Sequence, residues 1–149
     1  MGMRRIERIF VHCTAGSQRQ TVEDLRKEFR DRGWRNPGYH YVVLADGRIV
    51  ALLPENEVSN GVRGYNATSV NVAYTGGIDS RGRAVDNRTA GQRRSLRRIL
   101  SELRGRYPDA VILGHRDISP DRNGNGIVDP WERIKECPCF DAKEEYKDI

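Results

Sequence analysis

Strand-like runs alternate with two helix-like stretches along this chain of 149 residues. The strand-like runs are rich in β-branched and aromatic residues and cover 6–12, 70–75 and 110–113, whereas apolar residues recur at helical spacing over 21–32 and 89–107. Such alternation is typical of an α/β domain in which helices flank one central sheet. Because the length suits one globular domain and no linker interrupts it, we predict a single α/β domain over residues 1–149.

A β-hairpin is predicted within the segment YHYVVLADGRIVALL, residues 39–53. Its two strands meet at an Asp-Gly pair, one of the strongest short hairpin signals. A hairpin pairs its strands antiparallel, whereas strands joined through helices usually pair parallel, so the central sheet should be mixed. In this interpretation Tyr39 and His40 lie on the first strand, and their side chains face opposite sides.

The two predicted helices have different sequence signals. The first opens with Thr21, and Asp24 follows three residues later, which resembles a capping box. Gly33 marks its expected end. The second places apolar residues on one face and arginines on the other, as an amphipathic helix packed on a core would. Its apolar residues are Leu96, Ile99, Leu100 and Leu103.

The charge of the chain bears on its partners. A formal net charge of +5 and a pI near 9.4 favour attraction to polyanions at long range. The basic residues are spread along the chain, and no helix-turn-helix, zinc finger or aromatic-rich sheet motif accompanies them. We therefore expect no nucleic-acid partner, and a nucleic-acid binder is an alternative motivated by charge alone.

The hydropathy pattern gives an expectation about location. No stretch approaches the ~20 consecutive apolar residues that span a bilayer, so no membrane insertion is expected. The basic start MGMRRIERIF leads directly into a strand-like run instead of the apolar segment of a signal peptide. We expect synthesis in the cytoplasm without a signal peptide.

Two histidines and a cysteine suggest a metal site. Cys13, Cys137 and Cys139 are too few and too unevenly spaced for a disulfide scaffold, so metal binding or burial is considered first. His12 ends the first predicted strand and His115 follows the last, so both can project from one sheet edge if these strands are near neighbours. With Cys137 they would form a His2Cys set, which leaves a fourth tetrahedral position open, as catalytic zinc sites do. Spacing alone also allows each histidine a core or surface role.

Five motifs, taken together, identify a family resemblance. They are FVHCTAG, GYHYVV, GYNATSVNVAYTGGID, GHRD and KECPCFD, in that order along nearly the whole chain. The set resembles the bacteriophage amidase lysozymes, relatives of the peptidoglycan recognition proteins. That resemblance implies an N-acetylmuramoyl-L-alanine amidase, which hydrolyses the amide bond between N-acetylmuramic acid and L-alanine of peptidoglycan in endolysin-like lysis of the cell wall. It also implies a zinc ion held by His12, His115 and Cys137.

The same resemblance implies two catalytic residues that do not bind the metal. Tyr39 and Lys135 would position the attacking water, move its proton and stabilise the oxyanion. Considered without the family, Tyr39 is a packed strand aromatic and Lys135 a solvated charge. Cys139 stands where the family pattern varies, and strand alternation sends Cys13 into the core. His40 is expected to be a packed or supporting histidine.

A second metal site is predicted in residues 121–132, DRNGNGIVDPWE. The segment follows the EF-hand calcium-loop pattern, with alternating oxygen ligands, a glycine at the sharp turn and a closing glutamate. The expected calcium ligands are Asp121, Asn123, Asn125, the Ile127 carbonyl, Asp129 and Glu132. Pro120 argues against an entering helix, so a single dockerin-like loop is expected. The alternative is a polar surface insertion.

Three alternatives to an endolysin-like amidase remain from the sequence. A non-catalytic peptidoglycan-binding module is one, although such modules typically lack the cysteine ligand that is present here. A muropeptide-recycling amidase is another, although those enzymes use an aspartate as third ligand. The nucleic-acid binder is the third. We expect a monomer whose partner is peptidoglycan and which acts at the bacterial wall after release.

Overall fold

A computed structural model describes residues 4–118 and 136–149. Five strands and three helices make up these parts. The strands are β1 (Arg8–Cys13), β2 (Tyr41–Val43), β3 (Ile49–Ala51), β4 (Ser69–Tyr74) and β5 (Val111–Gly114), and the helices are α1 (Val22–Asp31), α2 (Ala90–Arg106) and α3 (Ala142–Glu145). Short 3-10 helices cover Asn66–Thr68 and His115–Ile118. The predicted α/β class is confirmed.

The five strands form one mixed sheet in the order β3-β2-β4-β1-β5. β1 runs parallel to β4 and to β5, β2 runs parallel to β4, and only the β2–β3 hairpin pairs antiparallel. The mixed sheet that the Asp-Gly hairpin predicts is therefore confirmed. Because β1 and β5 are parallel neighbours, their carboxyl ends meet at one edge of the sheet.

The helix starts agree closely with the sequence signals. Thr21 caps α1, and its side chain and that of Asp24 form both hydrogen bonds of a capping box. Thr89 caps α2 in the same way, with Gln92 as its partner. Each capping threonine accepts a hydrogen bond from an N–H group of the first helical turn that has no partner within the helix, and this fixes where each helix begins.

One predicted strand is shorter than expected. Tyr39 and His40 precede β2, which begins at Tyr41, so their assignment to a strand is wrong. The carbonyl of His40 accepts hydrogen bonds from both Leu52 N–H at 2.8 Å and Leu53 N–H at 3.4 Å. This shared acceptor interrupts the regular ladder between the hairpin strands, so the strand starts two residues later than predicted.

Strand alternation divides the core between the two faces of the sheet. On one face Ile9, Val11 and Cys13 of β1 belong to the cluster that contains the apolar side of α2. Leu25 and Phe29 of α1 pack with residues of β2 and β4 in a second cluster. The predicted burial of Cys13 is confirmed, since only 5% of it is exposed. His12, the neighbour of Cys13 along the strand, points to the α1 side.

A buried arginine ties the last residues of the chain to this body. The guanidinium of Arg88 donates to Asp86 at 2.9 Å and to Glu145 at 2.6 Å, and it lies 3.4 Å from the centre of the Phe140 ring. Its side chain is 1% exposed. These contacts hold α3 and the preceding residues 136–141 against the sheet. None of the described helices is long and apolar enough to cross a membrane.

Replacing Arg88 with Met is expected to lower the free energy of unfolding by about 2 to 4 kcal/mol, because it leaves the partly buried Glu145 without its cation and Asp86 with only the exposed Arg93. The hydrogen bond from Arg88 holds the pKa of Glu145 below its ordinary value. Glu145 therefore stabilises the fold fully above the ordinary carboxyl pKa, and this contribution disappears as the pH falls through the lowered value. The difference between wild type and variant should shrink below about pH 4.

Chemical denaturation of both proteins at several pH values measures this difference. Arg98→Met is the matched control, because within residues 4–118 and 136–149 Arg98 forms only an exposed ion pair with Glu102 one helical turn away. That control should change the free energy of unfolding by less than about 0.5 kcal/mol. Equal losses in the two variants would contradict the anchoring role of Arg88.

Candidate metal centre

His12, His115 and Cys137 converge at the carboxyl edge of the sheet. Their potential ligand atoms all lie within 4.8 Å of one another, and His12 Nδ1 is 3.8 Å from the Cys137 sulfur. Ligand atoms of a tetrahedral zinc site stand roughly 3.3 to 3.7 Å apart, given bonds of about 2.0 to 2.3 Å. The three side chains, here named the His-His-Cys cluster, therefore fit a zinc ion after small adjustments. Two imidazoles and a thiol are also the donor types that zinc prefers.

The sheet places the two histidines. β1 carries His12 near its carboxyl end, where it is opposite Ala73 of β4, and His115 follows directly after β5. Their ring centres are 5.1 Å apart at 77°. The expectation that both histidines project from one sheet edge is confirmed, since β1 and β5 are adjacent.

Residues 136–140 bring the thiol to the histidines. The Arg116 N–H donates to the Cys137 carbonyl at 2.7 Å, and the Tyr74 hydroxyl donates to the Pro138 carbonyl at 2.7 Å. A Cβ at Gly114 would lie 2.6 Å from Pro138 Cδ, so the glycine permits this close approach. The N–H of Cys13 donates to the Cys137 sulfur at 3.1 Å, so the sulfur faces the first strand.

Tyr39 lies beside the cluster although it precedes β2. Its ring centre is 5.2 Å from that of His12 and 5.7 Å from that of Phe29. Burial, together with the nearby Cys137 and Cys13, raises the pKa of Tyr39 above its ordinary value. The phenol therefore keeps its proton, and its O–H donates a hydrogen bond to the Cys13 carbonyl across 3.4 Å. That long hydrogen bond leaves the O–H available to a closer acceptor.

Comparison with known proteins identifies the family. The family described as N-acetylmuramoyl-L-alanine amidase matches residues 2–138. The chain belongs to that family. It is 37% identical over 140 residues to an endolysin of Enterobacteria phage K11, covering 93% of this chain and 83% of the relative. An endolysin of Escherichia phage T7 is 36% identical over 137 residues, which cover 91% of this chain and 82% of that relative.

Solved structures agree with the amidase family. The N-acetylmuramoyl-L-alanine amidase LysCS from Clostridium intestinale has a TM-score of 0.76 at 25% identity, with 97% of this chain and 83% of that one covered. The Ph2119 endolysin of a Thermus scotoductus bacteriophage has a TM-score of 0.70 at 29% identity, with 93% and 79% covered. Drosophila PGRP-LB, at 18% identity and a TM-score of 0.67, with 99% and 81% covered, shares the fold.

In this amidase-family chain the cluster lies in a cleft of about 190 Å³. Trp34 and Arg32 line its wall together with Tyr39, and the Arg32 guanidinium lies 5.1 Å from the centre of the Trp34 ring. A larger and more open depression lies between residues 18–23 and the hairpin, and no member of the His-His-Cys cluster lines it. The smaller cleft is therefore the candidate active site.

The remaining predicted site residues have different outcomes. Cys139 is directed toward Cys13, with 3.8 Å between the sulfurs, and stays outside the cluster, as expected for a bystander thiol. Lys135 lies outside the described residues, and so does the predicted calcium loop, residues 121–132. The structure therefore leaves both as predictions.

Sequence reasoning missed two residues behind the cluster, Asn71 and Gly61. Asn71 accepts a hydrogen bond from His12 Nε2 at 2.8 Å, and the same asparagine contacts His40 and Gly61. One sequence signal was available, because Asn71 interrupts the strand SVNVAY, whose residues are all buried. A buried amide in a central strand requires polar partners.

Proposed function

We propose that this N-acetylmuramoyl-L-alanine amidase hydrolyses the bond between N-acetylmuramic acid and L-alanine in peptidoglycan with a zinc ion held by His12, His115 and Cys137. The observation that carries the proposal is the convergence of two imidazoles and a thiol in an open cleft. When bound there, zinc would supply a hydroxide near neutral pH and polarise the amide carbonyl. Three protein ligands leave the fourth position to water or substrate.

Tyr39 is proposed to act on the same bond. Its O–H is protonated and lies within the cleft beside His12. Such a donor can bind the oxygen on which negative charge develops, or pass a proton to the leaving nitrogen. Lys135 is proposed to share these tasks. It stands two residues before Cys137 in the sequence, and its role rests on the family resemblance.

The cleft walls support a substrate that joins a sugar to a peptide. Trp34 stacks on Phe29 with ring centres 5.7 Å apart and an interplanar angle of 18°. Such aromatic surfaces suit the apolar faces of sugars and peptides, while Arg32 can pair with a carboxylate. The net charge of +5 adds long-range attraction to an anionic wall. We propose that the protein reaches this wall as a monomer after release from the cytoplasm.

A non-catalytic peptidoglycan-binding module is the main competing function. The presence of Cys137 beside both histidines argues against it, because all three protein ligands are available. A muropeptide-recycling amidase would cut the same bond, and the cysteine in place of an aspartate favours the endolysin-like branch. Intact wall and soluble muropeptides, offered as alternative substrates, separate these enzymes.

Cys137→Ser is expected to reduce hydrolysis of purified peptidoglycan at least hundredfold, because the hydroxyl replaces the thiolate ligand. Mass spectrometry of the wild-type digest should find free stem peptides that begin with L-alanine. Removing zinc from the wild type should abolish their release, and restoring it should recover the activity. Cys139→Ser is the matched control and should keep the wild-type rate. Cleavage of the glycan strand, or full activity without zinc, would refute the proposal.

Tyr39→Phe tests the second group in the cleft. The variant should bind zinc with wild-type affinity and lose about a hundredfold or more in rate, because only the O–H donor is removed. Metal analysis and steady-state rates on the same preparation give both quantities. A near-normal rate would mean that Tyr39 only packs against Phe29 and takes no part in catalysis.

The calcium site also remains a proposal, carried by the sequence pattern of residues 121–132. With three carboxylates and two asparagine amides, the loop should bind calcium in the range of extracellular modules, about 0.1 to 1 mM. Bound calcium should order the segment leading to Lys135 and Cys137. Added calcium should raise the melting temperature of the zinc-saturated wild type. It should not raise that of the double variant Asp121→Ala, Glu132→Ala. Identical melting curves for the two proteins would mean that residues 121–132 are a surface insertion that does not bind calcium.

A further inference from the structure

A chain of hydrogen bonds leads from the candidate metal centre into the protein. His12 Nε2 is 2.8 Å from Asn71 Oδ1, Asn71 Nδ2 donates to Ser59 Oγ at 2.7 Å, and Ser59 Oγ is 3.2 Å from His40 Nδ1. His12 is 2% exposed and the other three are completely buried. These four residues are named the Asn71 network. Because these side chains hardly reach the solvent, hydrogen bonds within the protein determine the position of each proton.

The proton positions can be worked out from the far end. The backbone N–H of Asn71 donates to His40 Nδ1 at 3.0 Å. A backbone N–H can only donate, so His40 Nδ1 carries no proton. The proton lies on His40 Nε2, which is 2.8 Å from the Glu57 carbonyl and donates to it. The Arg4 guanidinium is 3.2 Å from the same nitrogen and donates instead to the Glu55 carbonyl at 2.7 Å. Burial lowers the pKa of His40 to about 4, consistent with a neutral ring.

This histidine then orients the Asn71 amide. Ser59 also faces His40 Nδ1, so its hydroxyl donates to that nitrogen and its oxygen accepts from Asn71 Nδ2. With the amide flipped, the Ser59 hydroxyl would have to donate to Asn71, and its oxygen lone pairs would then face the lone pair of His40 Nδ1 at 3.2 Å. The amide oxygen of Asn71 is therefore directed at His12.

The oriented amide selects one tautomer of His12. Because Asn71 Oδ1 can only accept, His12 Nε2 must carry the proton. A neutral imidazole has one N–H, so Nδ1 presents its lone pair, and this is the nitrogen that lies 3.8 Å from the Cys137 sulfur. A metal ion in the cluster requires an unprotonated nitrogen of this kind.

The backbone around the amide is built to accommodate it. A Cβ at Gly61 would lie 2.3 Å from both Cγ and Oδ1 of Asn71. Any larger residue at this position would displace the amide from His12. Gly61 also lines the cleft, so the network begins at its wall.

We propose that Asn71 is a positioning residue, which holds His12 as the Nε2–H tautomer so that Nδ1 is ready for the metal. Ser59 and His40 fix the amide that does this. The inference rests on the zinc site proposed above. Hydrogen-bond partners of metal-binding histidines typically raise metal affinity about 10- to 100-fold, because the histidine need not change its tautomer or ring orientation when the metal binds.

The test combines zinc affinity with the tautomer of His12. The chain has three histidines, so long-range ¹H–¹⁵N spectra of the imidazoles are simple to assign. In metal-free wild type, His12 should be the Nε2–H tautomer. Asn71→Leu should give mixed tautomers and bind zinc 10- to 100-fold more weakly in competition with a chelating dye. Asn71→Asp keeps the acceptor and should retain the tautomer, with zinc affinity within a few-fold of wild type.

A second variant protects the test against misfolding. Gly61→Ala keeps every hydrogen-bonding group but moves the amide, so it should also weaken zinc binding and disturb the His12 tautomer. Gly105→Ala is its matched control, because a Cβ there meets nothing within 4 Å. If Asn71→Leu does not fold, Gly61→Ala and Asn71→Asp decide the question.

Two outcomes would overturn the proposal. One is a metal-free wild type in which His12 carries its proton on Nδ1. The other is wild-type zinc affinity with an unchanged His12 spectrum in folded Asn71→Leu or Gly61→Ala. A protein that binds no zinc would refute the proposed function instead, while the metal-free spectra would still test the tautomer.

Discussion

Parallel pairing of β1 with both β4 and β5 is the constraint on which the rest of the structure depends. It places the end of β1 beside the end of β5, so that His12 and His115 lie at one edge of the sheet. The same pairing aligns β4 with β1 and brings Asn71 behind His12. One pattern of backbone hydrogen bonds thus positions two candidate ligands and the residue that orients one of them.

The third candidate ligand reaches the site by a different route. Cys137 lies outside the strand ladder, and its position depends on single backbone hydrogen bonds from Arg116 and Cys13 and on side-chain contacts of its neighbours. Arg88 holds α3 against the sheet, while Tyr74 binds the carbonyl after the cysteine. The thiol is therefore held by polar contacts that connect the end of the chain to the core. Such an arrangement couples the stability of this segment to the geometry of the metal centre.

Much of the fold could be predicted from local signals in the sequence. The capping signal at Thr21, the Asp-Gly hairpin and the apolar face of α2 each report on contacts a few residues apart, and each led to the right element. The start of β2 could not be predicted, because it depends on a carbonyl shared between the N–H groups of Leu52 and Leu53, which follow β3.

For the site, sequence motifs and structure contribute different information. The family resemblance pointed to His12, His115 and Cys137, and the sheet order explains why residues so distant in sequence can meet. The Asn71 network could not be predicted, because its members come from separate loops and strands and are joined only by the strand register and by the space at Gly61. Tyr39 was associated with the site through the family, and the structure places it beside His12 although it precedes the strand.

X-ray absorption at the zinc edge tests the central claim most directly, because it counts the ligands around the metal in the purified protein. One zinc ion per chain should show a single sulfur at about 2.3 Å and three nitrogen or oxygen neighbours at about 2.0 to 2.1 Å. That result is the one a His2Cys site with an open fourth position requires. A shell without sulfur, or with two or more sulfurs, would contradict the account.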